Sequence, residues 1–376
     1  MALFTVIPTV LLWTPFFARL KDFWGIPLPQ NGMGIIVANY DGPLYLVVAK
    51  TFYNQDLIKS SFQFPLPTQY YAAHFPLFPL LIRIFAGVMG YPYSMLIVTL
   101  ISSFLAILFF NRLIKNYVEE ESVLFLTFLF SIFPARWLIV RSIGSADPLF
   151  IASIIASVYF FTNKKYLYAG IWGAIATLTK SPGILLFVAY SGIIISSNFK
   201  DLIANQVVKL KIRETTTKFL SILPIVLSLL MVFSIFKITY NDFFAYFHSG
   251  DNIHLSFPPF QIFNYAAPWV GTFWLEEIIF IYLFGVLGLL RLIKQKNYEL
   301  AWLVGVFFTS ILFVSHRDLM RYFLPIVPFL FVAFADVLKG KEFKVATIFI
   351  LIPIFLYSLT FISQNVMPIS DWTPLL

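Results

Sequence analysis

PYSMLIVTLISSFLAILFFNRLI, residues 92–114, carries no charge until Arg112. At about 1.5 Å per residue, a helix of that length crosses the roughly 30 Å hydrocarbon core of a bilayer. The period-two alternation of a barrel strand is missing. The same texture recurs along the 376-residue chain, which is 60% hydrophobic and 12% charged, far from the usage of a soluble domain. Within lipid every backbone polar group must be paired inside a helix or a closed barrel, so these runs specify an all-α polytopic membrane protein. Further spans are expected near 2–18, 122–135, 147–162, 166–179, 183–197, 219–238, 273–290, 299–314, 322–338 and 344–362. With 92–114 that makes about eleven, in a single transmembrane domain over 1–376. Residues 1–17 lack a basic n-region and a small-residue cleavage site, so they read as an uncleaved first span.

The connections orient the chain. With the N-terminus inside, the inner loops collect Arg112, Lys115, Lys164, Lys165, Lys200, Lys209, Lys211, Arg213, Lys218, Arg291, Lys294, Lys296, Lys339, Lys341 and Lys344. That is about fifteen of the 26 basic residues, which the positive-inside rule explains without invoking nucleic acid, despite the net charge of +8. The expected location is therefore a cell membrane, crossed many times. Cysteine is absent and only four histidines remain, so disulfides and thiolate metal sites are excluded and no metal is expected. Two long outer loops follow from the topology, 19–90 and 239–272, both rich in Phe, Tyr, Pro and Trp, residues that sit well at the headgroup level. Short interfacial helices are expected at 43–53 and 76–89.

Against the positive-inside preference, the outer face holds Asp41, His74, Arg83, Arg136, Arg141, Asp147, Lys180, His316, Arg317 and Arg321. Charges beside apolar spans cost free energy unless paired or lining a wet cavity, so each is a candidate for function. Asp41, in ANYDGPLYLVVAK (38–50), reads as a turn or N-cap aspartate before Gly42-Pro43, and equally as a base at the lip of a cavity. His74 reads as a hydrogen-bonding anchor among aromatics or as a catalytic group, and Asp147-Pro148 as an N-cap. Arg136, Arg141, Lys180, Arg317 and Arg321 form either a nonspecific headgroup contact or a cluster for a phosphate, whose oxygens a guanidinium fork matches. Arg317 and Arg321, four apart, would share a face if helical.

The order of these pieces carries a resemblance. A DG-containing first outer loop is followed by HFPLFP (74–79), FPARWLIVRSIGSADPLFIASIIASVYFF (133–161), GIWGAIATLTKSPGILL (170–186) and HRDLMRYFLPIVPF (316–329). Together they resemble the GT-C glycosyltransferases, with the nearest likeness to prokaryotic relatives of GPI mannosyltransferase 2. The resemblance implies an extracytoplasmic active site and a polyprenyl- or dolichyl-phosphate-linked sugar donor, with no further cofactor. It also implies that Asp41 is the catalytic carboxylate, that Tyr45 matches the aromatic residue after it, that Lys180 matches a basic residue of the LTRSNG element, and that Asp147 falls where the family has glutamate. Asn39-Tyr40 stands where Arg-Trp is usual, Ser-Pro-Gly replaces Ser-Asn-Gly, and Arg136 replaces a small residue.

Transfer from a lipid phosphate requires a base for the acceptor hydroxyl, alignment opposite the C1–phosphate bond, and positive charge on the departing phosphate. The expectation is an inverting, metal-independent transfer of a hexose, mannose in the first instance, with Asp41 as base. Arg321, Lys180, Arg317, Arg136 and Arg141 are expected on the donor phosphate, and Tyr40, Tyr45, His74, Asp147 and Tyr322 around the substrates. A lipid-linked glycan, glycolipid or protein would accept the sugar. Two alternatives are a flippase for lipid-linked sugars, for which inverted repeats are missing, and a ligase or polymerase using a diphosphate-linked donor.

Overall fold

The computed structural model describes residues 1–203, 208–250, 254–264 and 274–376. Eighteen α-helices are described: α1 Ala2–Phe17, α2 Gly34–Val37, α3 Gly42–Thr51, α4 Gln55–Ser61, α5 Leu77–Met89, α6 Tyr91–Ile114, α7 Glu120–Ile132, α8 Ala135–Val140, α9 Asp147–Thr162, α10 Tyr166–Thr179, α11 Leu185–Ile203, α12 Val208–Tyr240, α13 Trp274–Lys294, α14 Tyr298–Ile311, α15 Leu319–Phe323, α16 Val327–Ala333, α17 Ala335–Leu338 and α18 Lys341–Gln364. Three described stretches, Tyr91–Ile114, Arg213–Tyr240 and Lys341–Gln364, are long and apolar enough to cross a membrane. Six shorter apolar helices accompany them. Large apolar side chains stand exposed along the outer faces, among them Leu220, Leu227 and Met231 on α12 and Ile348, Phe349 and Ile352 on α18. A soluble chain buries such stripes; here they face lipid, and the protein is an integral membrane protein.

Each expected span coincides with a helix except one. The stretch expected as a continuous span at 322–338 is broken into α15, a single 3₁₀ turn at Leu324–Ile326, α16 and α17. Pro325 and Pro328 lack amide donors and sit in first-turn positions of the 3₁₀ turn and of α16, so each restarts a helix instead of continuing one. The interfacial helices expected at 43–53 and 76–89 are α3 and α5. Of the outer loop 239–272, residues 251–253 and 265–272 lie outside the described residues, as do the side chains of Lys200, Lys209 and Lys211 in the inner loop. Within the described part, residues 254–260 lie along the chain after α14: Ser315 N donates to His254 O (2.7 Å) and Ser256 N to Phe313 O (2.8 Å).

Two buried apolar clusters organise the interior. One joins α6, α7 and α9 to α14 and α16; the other packs α1 and α3 under α5, the end of α12 and α18. Tyr40 and Phe133 touch both clusters, and the charged residues gather at that junction.

Candidate active site

Asp41 occupies the N-cap position of α3, and Pro43 sits in that helix's first turn, but the carboxylate makes no capping hydrogen bond. The turn reading therefore holds for its place and not for its bonding. Gly42 is required: a Cβ there would lie 2.1 Å from the Val37 carbonyl oxygen. Tyr40, just before Asp41, has φ +48°, in the left-handed region that non-glycine residues enter only under constraint. The Asp41 side chain is 40% exposed, against 5% for Asp147 and 9% for Asp318. It is the one carboxylate of this group that meets solvent.

Arg321, on α15, stands between two carboxylates. Its Nε donates to Asp147 Oδ2 at 2.8 Å, and its Nη1 lies 3.7 Å from Asp41 Oδ2, beyond hydrogen-bond length. Lys180 Nζ donates to Asp147 Oδ1 at 2.5 Å, and Ser145 Oγ to Asp147 Oδ2 at 2.8 Å. Lys180 is presented by the sharp turn after α10, where Gly183 packs so closely that a Cβ would come within 2.4 Å of Thr177 N. Asp147 is accordingly neither a cap nor a substrate contact. It is a buried anion whose oxygens are taken up by Lys180, Arg321 and Ser145, and the N-cap of α9 is Ala146.

A second ion pair adjoins the first. Arg136 Nε lies 2.9 Å from Asp318 Oδ1, while its Nη1 donates to the Tyr40 hydroxyl (3.1 Å) and its Nη2 to the Tyr357 hydroxyl (3.2 Å). Its guanidinium stacks 3.8 Å from the Phe361 ring. Tyr40 donates its own proton to Asp318 Oδ2 (2.7 Å), and its ring lies under Arg321 at 4.3 Å. Tyr40 thus links both pairs, and burial pushes its phenol well above the usual range. Burial also raises Asp318, with Arg136 opposing.

Three sequence expectations change here. Arg141 is not in the site. It is fully buried and donates from Nε to Ser131 O (2.8 Å), from Nη1 to Thr5 O (3.0 Å) and Thr9 Oγ1 (3.2 Å), and from Nη2 to Phe4 O (3.1 Å), tying α1 to the last turn of α7. Arg136 gives Nη1 and Nη2 to two tyrosine hydroxyls and is ion-paired through buried Nε with Asp318, without an aligned hydrogen bond there, so it braces Tyr40 instead of reaching toward a phosphate. Arg317 precedes α15 and is exposed, so it shares no helical face with Arg321.

Around the charges stand aromatic and imidazole rings. His74 is buried, edge-on to Tyr45 with centroids 4.8 Å apart, and its Nδ1 has no hydrogen-bond partner among the described residues. Burial lowers its pKa. Tyr45 is itself buried between His74 and Phe78, so it forms the wall under Asp41 and presents no open face to a sugar. His316 Nδ1 accepts from the Asp318 amide (3.0 Å), which assigns the proton of the neutral ring to Nε2. Its ring lies 4.4 Å from His254 and 5.6 Å from half-buried Tyr322. Burial first, then His254 and the nearby Arg321 and Arg317, push His316 down to about 4.

Asp318 and Ser145 were not picked out from sequence. Asp318 lies inside HRDLMR, and the signal available was charge balance, since buried cations demand counter-carboxylates in a low-dielectric setting.

No family model matches the sequence, and no curated protein matches it. Solved structures do. ArnT from Cupriavidus metallidurans in the apo state superposes with TM-score 0.54 at 12% identity, covering 93% of this chain and 62% of that one. The same protein bound to undecaprenyl phosphate gives 0.53 at 11% identity, over 96% and 74%. The oligosaccharyltransferase of Archaeoglobus fulgidus gives 0.54 at 12% identity, over 98% of this chain and 56% of that one. The chain therefore spans 62% of apo ArnT and 56% of the oligosaccharyltransferase. At these identities the likeness is one of fold: the chain has the architecture that these two proteins share.

Proposed function

We propose that the protein is a membrane glycosyltransferase that moves a hexose, mannose being the first to test, from a polyprenyl-phosphate donor to an extracytoplasmic acceptor. The observation that carries this is the pairing of a half-exposed Asp41 with an Arg321 edge 3.7 Å away, at the mouth of an otherwise buried ion network. The crystal structure of ArnT with undecaprenyl phosphate adds support, since that neighbour of the same fold holds a lipid phosphate.

In this reading Asp41 removes the proton of an acceptor hydroxyl as its oxygen attacks the sugar C1. The C1–O bond to phosphate breaks, the electron pair leaves with the polyprenyl phosphate, and the anomeric configuration inverts. The proton passes from Asp41 to solvent. Arg321 meets the developing phosphate charge through Nη1, its orientation fixed by Asp147, Lys180 and the Tyr40 ring, and Arg317 reaches the phosphate from the exposed side. A positioned base contributes about 10²–10⁴-fold and a preorganised cation about 10²–10³-fold. In this reading the N-terminus lies inside and Asp41 faces the extracytoplasmic side, an orientation that the distribution of Lys and Arg supports.

The test is an assay of purified protein with a panel of polyprenyl-phosphate sugars, comparing parent with Asp41→Asn. Transfer should fall by about 10²–10⁴-fold in a folded variant. Substantial transfer by Asp41→Asn removes Asp41 as the base, and lipid movement across vesicles without donor consumption replaces the enzyme by a transporter.

A further inference from the structure

We propose that the segment following α18, residues 365–367, is a positioning element for Asp41, acting through Asn39 and Tyr40 with Asn365 as its central residue. The proposal rests on the role given to Asp41 above.

After α18 ends at Gln364, the chain turns back and pairs antiparallel with the residues just before Asp41. Met367 N donates to Ala38 O at 2.8 Å, and Tyr40 N donates to Asn365 O at 3.3 Å. Asn39, at the centre of this bridge opposite Val366, is completely buried. Its Nδ2 donates to Ile362 O at 2.7 Å, and its Oδ1 accepts from Asn365 Nδ2 at 3.1 Å. Ile362 lies in the last turn of α18, where carbonyls have no partner within the helix, so the Asn39 amide caps that end while the helix anchors Asn39. A buried side chain with both polar atoms satisfied across more than 300 positions of sequence fixes backbone position in a way an apolar residue does not.

The consequence falls on Tyr40. A left-handed conformation is strained for an L-residue and persists only when its surroundings over-determine it. Here the constraint comes from two sides: the tail carbonyl of Asn365 holds the Tyr40 amide, and Asp318 with Arg136 holds its hydroxyl. With the tail released, Tyr40 relaxes toward negative φ. The next residue is Asp41, so its carboxylate turns away from Arg321. Misplacement by about 1 Å is enough to cost about 10²-fold in rate. The Tyr40 ring under Arg321 moves with its backbone, but the bonds of Arg321 and Lys180 to Asp147 do not involve the tail and still hold the guanidinium, so the loss falls mainly on kcat and little on donor binding.

Asn365→Ala removes the donor to Asn39, and Asn365→Ser sets a hydroxyl donor back from it on a shorter side chain. In the full-length detergent-purified enzyme both should lower kcat by about 10–100-fold while the donor KM stays within about twofold. A second readout does not need turnover. The chain has no cysteine, so Asp41→Cys carries a single thiol, and its rate of alkylation by a neutral maleimide reports the placement of position 41. Adding Asn365→Ala should change that rate several-fold. A shifted thiol rate, where the parent with Asp41 intact transfers no sugar, upholds the strap and sinks the glycosyltransferase reading. Unchanged kcat with unchanged thiol rate in variants of parental melting temperature overturns the strap. Equal loss of kcat and donor affinity, or loss of the fold in both variants, assigns Asn365 to general stability and overturns it as well.

Discussion

Arg141 and Arg321 are both arginines set in apolar surroundings, and they are satisfied in opposite ways. Arg141 spends its nitrogens on the carbonyls of Phe4, Thr5 and Ser131 and on the Thr9 hydroxyl, all neutral acceptors. Arg321 spends Nε on the carboxylate of Asp147 and leaves Nη1 facing Asp41 across 3.7 Å. The first arrangement is geometrically saturated, and nothing that approaches can improve it. The second is neutralised by charge but loosely bonded on its open side, so another anion can take the place of Asp41. Burial alone thus says little about a membrane arginine; the chemistry of its acceptors says whether it holds the fold or meets a ligand.

The largest contrast should appear in Arg321→Gln against Arg141→Met. Transfer by folded Arg321→Gln should drop by about 10²–10³-fold, measured as initial rate at saturating donor. A near-parental rate would dissolve the distinction. Arg141→Met should lower stability by about 1–3 kcal/mol, because buried acceptors lose their donor, yet the fraction that remains folded should turn over normally. Thermal midpoint and rate per folded molecule separate the two; a catalytic loss without destabilisation would place Arg141 with Arg321 after all. The smallest effect sharpens the comparison further. Arg321 has the titratable neighbour His316, whose folded pKa of about 4 lies below the ordinary 6.5. The unfolded chain therefore binds the extra proton first, so stability present above about 6.5 is lost as pH falls toward about 4. The thermal midpoint of the parent should decline across that window more steeply than that of His316→Gln. Parallel curves would show that the folded imidazole takes up its proton as readily as the unfolded one, with no depression of its pKa.

Much of this organisation is written locally. The apolar runs, the interfacial helices α3 and α5, and the punctuation by Gly42-Pro43 and Gly90 depend on periodicity and turn chemistry, which short windows carry. Asp41, Lys180 and Arg321 were recognisable because charges beside apolar spans are costly wherever they occur. What was not legible is which charges meet. Asp147 looked like a helix cap until Lys180 and Arg321, 33 and 174 positions away, were seen to share it. Arg136 and Arg141 lie five apart with the same local texture, and only tertiary placement sends one to Asp318 and the other to α1. The break at 324–326 was signalled by Pro325 and Pro328, but in a strongly apolar window their weight was easily lost.

The tight seam between α10 and α12 has a consequence for how a lipid reaches the site. A Cβ on Gly170 would lie 1.8 Å from the Ser221 carbonyl oxygen, and one on Gly173 would meet the Ile225 side chain at 2.6 Å. Two backbones in such proximity have no slack between them and travel as a single slab. Lys180, one residue beyond α10, inherits its coordinates from that slab. On the function proposed above, a prenyl chain entering from the bilayer would have to part helices joined less closely than α10 and α12.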